Sequence, residues 1–118
     1  MKISKVVDNL QAIMGTVSVL AEKYPRNRFA GGAGVAQAEK QIPWICRTLN
    51  EASDALNSGQ DPFGNPITVA QVVSGLEQLV AYVRNASYGT LMEMVYPGID
   101  KPLQKCMDKL ERIIAKIM

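Results

Sequence analysis

At 118 residues the chain is long enough for one domain with its own core and too short for two comfortable ones. It is 47% hydrophobic, 20% charged and only 6% aromatic, so it has the make-up of a globular protein whose core must be aliphatic, helped by Met. The net charge of +2 is too small to imply nucleic acid by itself, and the absence of histidine removes the commonest general base, metal ligand and pH switch together.

The first predicted helix covers residues 2–24. Ile3, Val6, Leu10, Ile13, Val17, Leu20 and Tyr24 alternate steps of three and four, and Val7, Met14 and Ala21 widen the stripe. That spacing places them on one helical face, directed at a core. Pro25 ends the helix, because the residue before a proline is pushed out of the helical region. Residues 25–34 read as a flexible basic loop rich in glycine.

The second predicted helix runs over 35–57, with Ala38, Ile42, Ile45, Leu49, Ala52 and Leu56 on its apolar face. Pro43 interrupts it without a change of phase and projects to the polar side, so a continuous, kinked helix is expected rather than two short ones. Gly59 closes it, and the proline- and glycine-rich segment 58–67 is a turn.

The third predicted helix has the strongest start in the chain. Thr68 and Gln71 form a capping box, and Ile67 and Val72 are spaced for a hydrophobic staple. Its apolar face is Val69, Val72, Val73, Leu76, Leu79, Val80 and Val83. Between 69 and 87 the charges are Glu77 and Arg84 alone, so this helix is expected to be the most buried. A break follows near Gly89, and Thr90 with Glu93 forms a second capping box opening a short helix to Tyr96. Pro97 and Gly98 end that helix. Asp100 then caps a fourth long helix, with Leu103, Cys106, Met107, Leu110, Ile113, Ile114 and Ile117 on its stripe.

Four long periodic segments joined by connections of about ten residues predict an all-α, four-helix bundle-like fold of up-down order, with one short extra helix between the third and fourth. Residues 1–118 form a single helical domain in this reading, with Leu10, Val17, Leu49, Leu76, Leu110 and Ile114 at its centre.

Catalytic patterns are missing. Without His there is no Ser-His-Asp or Cys-His arrangement and no Glu-x-x-His di-iron motif. Cys46 and Cys106 are distant in sequence and both fall on apolar stripes, so buried reduced thiols are expected over a disulfide, and no metal site or cofactor is expected. Gly31, Gly32 and Gly34 form neither a Walker loop nor a dinucleotide fingerprint. No membrane association is expected, because the longest uncharged run of the first helix, Asn9 to Ala21, carries Gln11, Thr16 and Ser18, and a span needs about 20 mostly apolar residues. Lys2 and Lys5 before an apolar stretch imitate a signal peptide, but Asp8 and Gln11 interrupt it and no small-x-small cleavage site follows, so a reducing, cytoplasmic setting is the expectation.

Four surface features remain. Trp44 lies about 140° from the centre of its helix's apolar face and shares its side with Lys40, Arg47, Thr48 and Glu51. An outward tryptophan beside cations marks a protein contact, with Lys40 or Arg47 able to stack on the indole; the competing reading is that the kink, the 25–34 loop or the short helix covers it. Arg26 and Arg28, ahead of Gly31, Gly32, Gly34 and a helix start, could hold an anion. Lys101, Lys105, Lys109, Arg112 and Lys116 make a basic ridge on the fourth helix, with Asp108 and Glu111 to its other side. Met92 and Met94, with Tyr88 and Tyr96, offer an adaptable contact surface or a plug for one end of the bundle.

The sequence therefore points to a non-enzymatic interaction protein: a small adaptor, inhibitor or assembly subunit that binds another protein or copies of itself through Trp44, Lys40 and Arg47. Its compactness would suit an accessory gene of a phage or other mobile element. The alternative is an anion-binding module for a nucleotide or nucleic acid, using the basic glycine loop and the lysine ridge.

Overall fold

A computed structural model describes residues 2–117, apart from the side chains at 33 and 86–89. Among the described residues six helices follow one another: α1 (Ile3–Ser18), the single turn α2 (Leu20–Lys23), α3 (Ala33–Ser58), α4 (Val69–Arg84), α5 (Ala86–Val95) and α6 (Asp100–Ile117). The four long helices pack as a ring, α1 on α3, α3 on α4, α4 on α6 and α6 back on α1, while the short α5 packs against α3, α4 and α6. This is the expected all-α bundle. Among the described residues there is no β-strand beyond one isolated bridge, Gln60 to Pro66. The molecule measures 45 × 26 × 23 Å, and α3 at 26 residues spans about 39 Å at 1.5 Å per residue, so α3 is the bundle's backbone.

The core follows the apolar stripes. Leu10, Val17, Leu49, Leu76, Leu110 and Ile114 are all buried in one hydrophobic cluster. Ile3 and Val69 depart from expectation: both are exposed, because each sits in the first turn of its helix, past the end of the packed region.

The first helix is not continuous over 2–24. Val19 interrupts it with φ −92° and ψ −4°, and Tyr24 has left the helical region. The cause is local. The Thr16 and Ser18 hydroxyls donate to the carbonyls of Ala12 and Gly15, competing with backbone bonding at the end of α1. The following turn restores the phase, so Leu20 still reaches the core.

The helix α3 passes unbroken through Pro43, which is exposed as expected. Proline removes the N–H that would bond to the carbonyl four residues back, and an outward position keeps that loss at the solvated surface. Gly59 ends α3 in the left-handed region at φ +71°, its N–H bonded to the Ala55 carbonyl. Asp61 organises the next turn by accepting from the N–H groups of Phe63 and Asn65.

The Thr68–Gln71 box forms as expected: Thr68 Oγ1 accepts from the Gln71 N–H at 3.2 Å, and Gln71 Oε1 accepts from the Thr68 N–H at 2.8 Å. Val72 is buried and Ile67 is packed on the core, as a staple requires. As its low charge suggested, the helix α4 is well buried, with six of its 16 residues in the core, a larger share than in α1 or α6. Its outer face, Ala70, Ser74, Gly75, Glu77, Gln78, Ala81 and Tyr82, is exposed and carries the single charge of Glu77.

Two corrections concern the last third. The chain breaks at Asn85, not near Gly89, and α5 runs from Ala86 to Val95 with Thr90 inside it, so the Thr90–Glu93 capping box does not form. Nor does Asp100 cap the last helix, since it is that helix's first residue. Glu93 serves that end instead, its carboxylate accepting from the N–H groups of Gly98 at 2.8 Å and Asp100 at 3.1 Å. A carboxylate over the free N–H groups of a helix start is favoured by both hydrogen bonding and the helix dipole.

Candidate docking site

The residues singled out on the second predicted helix come together. Gln37, Lys40, Gln41, Pro43, Trp44 and Arg47 of α3 line a groove with Tyr82 of α4, about 450 Å³ in volume. Trp44 is not fully outward, as its helical angle suggested: it is half-buried and packs against the edge of the core. Tyr82 packs against it, its ring centroid 5.3 Å from that of Trp44 at an interplanar angle of 57°. Tilted aromatic pairs at this separation are attractive beyond their buried area. Thr48 Oγ1 donates to the Trp44 carbonyl at 2.9 Å, on the turn that carries the indole. Lys40 and Arg47 are exposed, and among the described residues neither has an ion pair.

Gln41 and Tyr82 complete the site and were missed from sequence. Gln41 is 5% exposed, and among the described residues no hydrogen-bond partner meets its side-chain amide. A buried amide without a partner costs free energy. Its signal was a polar residue next to Ile42 on the phase of Ala38 and Ile45. Tyr82 could have been found as an aromatic off the stripe of the next helix, matching Trp44.

The basic glycine loop is tied to its neighbours by one of its two arginines and by its backbone. Arg26 is engaged, with its Nε 2.6 Å from Glu39 Oε1. Asn27 ties the loop to α5 by donating its N–H to the Val95 carbonyl at 2.7 Å, so the segment is anchored rather than free. Gly31 and Gly32 are exposed, while Gly34 lies within α3 and packs on α5, where a Cβ would come 2.7 Å from Leu91 Cδ1. Gly34 thus serves a close helix approach. Arg28 is exposed.

On α6, Lys101, Lys105, Lys109, Arg112 and Lys116 are all exposed, as a ridge requires. The neighbouring acids are held elsewhere: Arg84 donates to Asp108 at 2.6 Å, to Glu111 at 2.9 Å and to Gln104 at 2.9 Å. The hydrogen bond to Asp108 raises the Arg84 pKa above its ordinary value; burial opposes the rise, and the hydrogen bond to Glu111 with the charges of both acids adds to it. Lys109, Arg112 and Lys116 line a shallow groove against Asn9, Ala12 and Ile13 of α1, about 260 Å³ in volume.

The Met surface divides. Met92 is in the core, Met94 is exposed and Tyr96 is buried; the side chain of Tyr88 lies outside the described residues. Burial raises the Tyr96 pKa, with Glu39 adding to the rise and Arg26 opposing it. Both cysteines are free thiols, Cys106 buried and Cys46 only half-buried, and burial raises the pKa of each. Among the described residues no cluster of His, Cys, Asp and Glu could hold a metal ion, and no helix is long and apolar enough to cross a membrane. Two loop aromatics that the sequence reading passed over, Phe29 and Phe63, are 88% and 89% exposed. Compared with known proteins, the chain matches no family model, no curated protein and no solved structure.

Proposed function

We propose that this is a non-enzymatic interaction protein of a reducing, cytoplasmic setting, and that the groove between α3 and α4 is its docking face for another protein. The observation that carries this reading is the half-buried Trp44, seated on Tyr82 and flanked by Lys40 and Arg47, two cations without an ion pair among the described residues. Tryptophan and arginine are the residues that most often carry interface energy, and an indole held by a neighbouring ring loses little freedom on binding. Capture from the native host with the full chain, repeated with Trp44→Ala, tests it. The variant should keep its helical circular dichroism and lose its partner, with the affinity falling by about 2 kcal/mol or more. Equal capture by both chains overturns the proposal. A second copy of the chain is the other possible occupant, and sedimentation over a range of concentrations separates the two.

A second reading, an anion-binding module on α6, is favoured by one observation. Arg84 takes up Asp108 and Glu111, which leaves Lys101, Lys105, Lys109, Arg112 and Lys116 as a ridge of cations beside neutralised acids. Binding of an oligonucleotide there should weaken steeply with salt. An oligonucleotide affinity unchanged between low and high salt removes this reading.

A further inference from the structure

We propose that the α3–α4 groove takes an acidic segment of its partner in extended form, with two carboxylates three residues apart meeting Lys40 and Arg47 and a peptide unit between them bonded to Gln41. This rests on the groove being the docking face and names the chemistry that face would recognise.

Three observations converge. The first is Gln41, a groove-lining amide that is 5% exposed and lacks a hydrogen-bond partner among the described residues. A side-chain amide offers both a donor and an acceptor, which matches the C=O and N–H of a backbone peptide unit. A partner that supplies that unit removes the desolvation cost which Gln41 carries in the free protein.

The second is the spacing of charge. Lys40 and Arg47 are seven residues apart on one helix, about 10.5 Å along its axis at 1.5 Å per residue. A chain extended in the polyproline II form covers roughly 9 Å in three residues and, at three residues per turn, presents residues three apart on the same side. Trp44 falls between the two cations and Tyr82 backs it, so the residues between the two acids meet an aromatic floor.

The third concerns sign. Glu51 is exposed on the same helix one turn beyond Arg47 and has no ion pair among the described residues, whereas Glu39 beside Lys40 is paired to Arg26. A nucleic-acid strand carries charge at every phosphate and would run against Glu51. A peptide with charge at two chosen positions avoids it.

The experiment selects random twelve-residue peptides from a display library on the full-length chain. The expected result is enrichment of sequences with two Asp or Glu separated by two residues. A synthetic peptide carrying that consensus should shift Trp44 emission to the blue. Its affinity should fall at least tenfold with Lys40→Glu plus Arg47→Glu and severalfold with Gln41→Met, and stay unchanged with Lys105→Glu plus Lys109→Glu on α6. Circular dichroism establishes that each variant is folded. Enriched peptides that lack the acidic pair, yet are lost with Trp44→Ala, overturn this inference and leave the docking reading standing. No enrichment at all, or acidic peptides that bind the Lys40→Glu plus Arg47→Glu variant as well as the parent, also overturns it. So does a single-stranded oligonucleotide that displaces the peptides and produces the same shift of Trp44.

Discussion

Replacing Gln41 with Met should make the free protein more stable. The two side chains are close in volume, so the exchange neither opens a cavity nor overpacks the space between α3 and its neighbours. What it removes is a nearly buried amide for which the described residues provide no hydrogen bond. Leaving such a group unpaired costs about 1–3 kcal/mol. The lower end applies here, because Gln41 borders a groove open to water and is not sealed in the core. A gain of about 1 kcal/mol against an unfolding entropy of roughly 0.25 kcal/mol per kelvin for a chain of this length raises Tm by about 4 °C. Thermal unfolding followed by circular dichroism at 222 nm measures the shift. Gln37→Met is the control, since Gln37 lines the same groove but is exposed and should move Tm little. A fall in Tm for Gln41→Met, with Gln37→Met neutral, would refute the reasoning, because it would mean that the amide is already satisfied in the free protein.

Thr68→Ala should cost roughly 0.5–2 kcal/mol in urea unfolding, since it removes one half of a capping box in which both bonds are made. Glu93→Ala should cost about 1 kcal/mol by the same assay, because it exposes the Gly98 and Asp100 N–H groups at the start of α6; Glu93→Gln should cost less, since it keeps one acceptor oxygen. Both thiols have a pKa raised by burial, so the folded state favours their neutral form. Alkylation by iodoacetamide should therefore be slow in the native chain at pH 8 and fast in urea. As pH rises through the unfolded thiol value, about 8.5, ionisation of the unfolded chain should begin to draw stability from the fold.

The helices were legible wherever a periodic stripe met a terminal signal. Gly59, Pro25 and the Thr68–Gln71 pair each act through their own backbone or over three residues, so the sequence carries them in full. The errors came where tertiary structure decides. Thr90 and Glu93 have capping-box spacing, but Glu93 is drawn forward to the start of α6, a bond between two different helices that local spacing does not encode. The low charge of α4 does go with a well-buried inner face, while its outer face is built of small residues, Ala70, Ser74, Gly75 and Ala81, around the single charge of Glu77. The angle on α3 sets Trp44 apart from its own stripe, but it cannot reveal that the indole is half-buried against the edge of the core and beside Tyr82, 38 positions later.

The groove owes its form to what holds the far side of α4. Tyr82 and Arg84 are two residues apart, so they point to widely different sides of the same helical turn. Tyr82 leans on Trp44 of α3, while Arg84 reaches Gln104, Asp108 and Glu111 of α6. Exposed ion pairs taken singly contribute little. Here one planar guanidinium is fixed at three points spaced along a single helix face, and its worth is in geometry more than in energy. With the last turn of α4 fixed to α6, Tyr82 stands against the indole before any partner arrives. Among the groove's named contact groups, the aromatic pair is then already ordered in the free protein, while Lys40 and Arg47 remain extended in water. Rigid rings with free charges around them suit a face that finds its partner through charge and holds it through buried area.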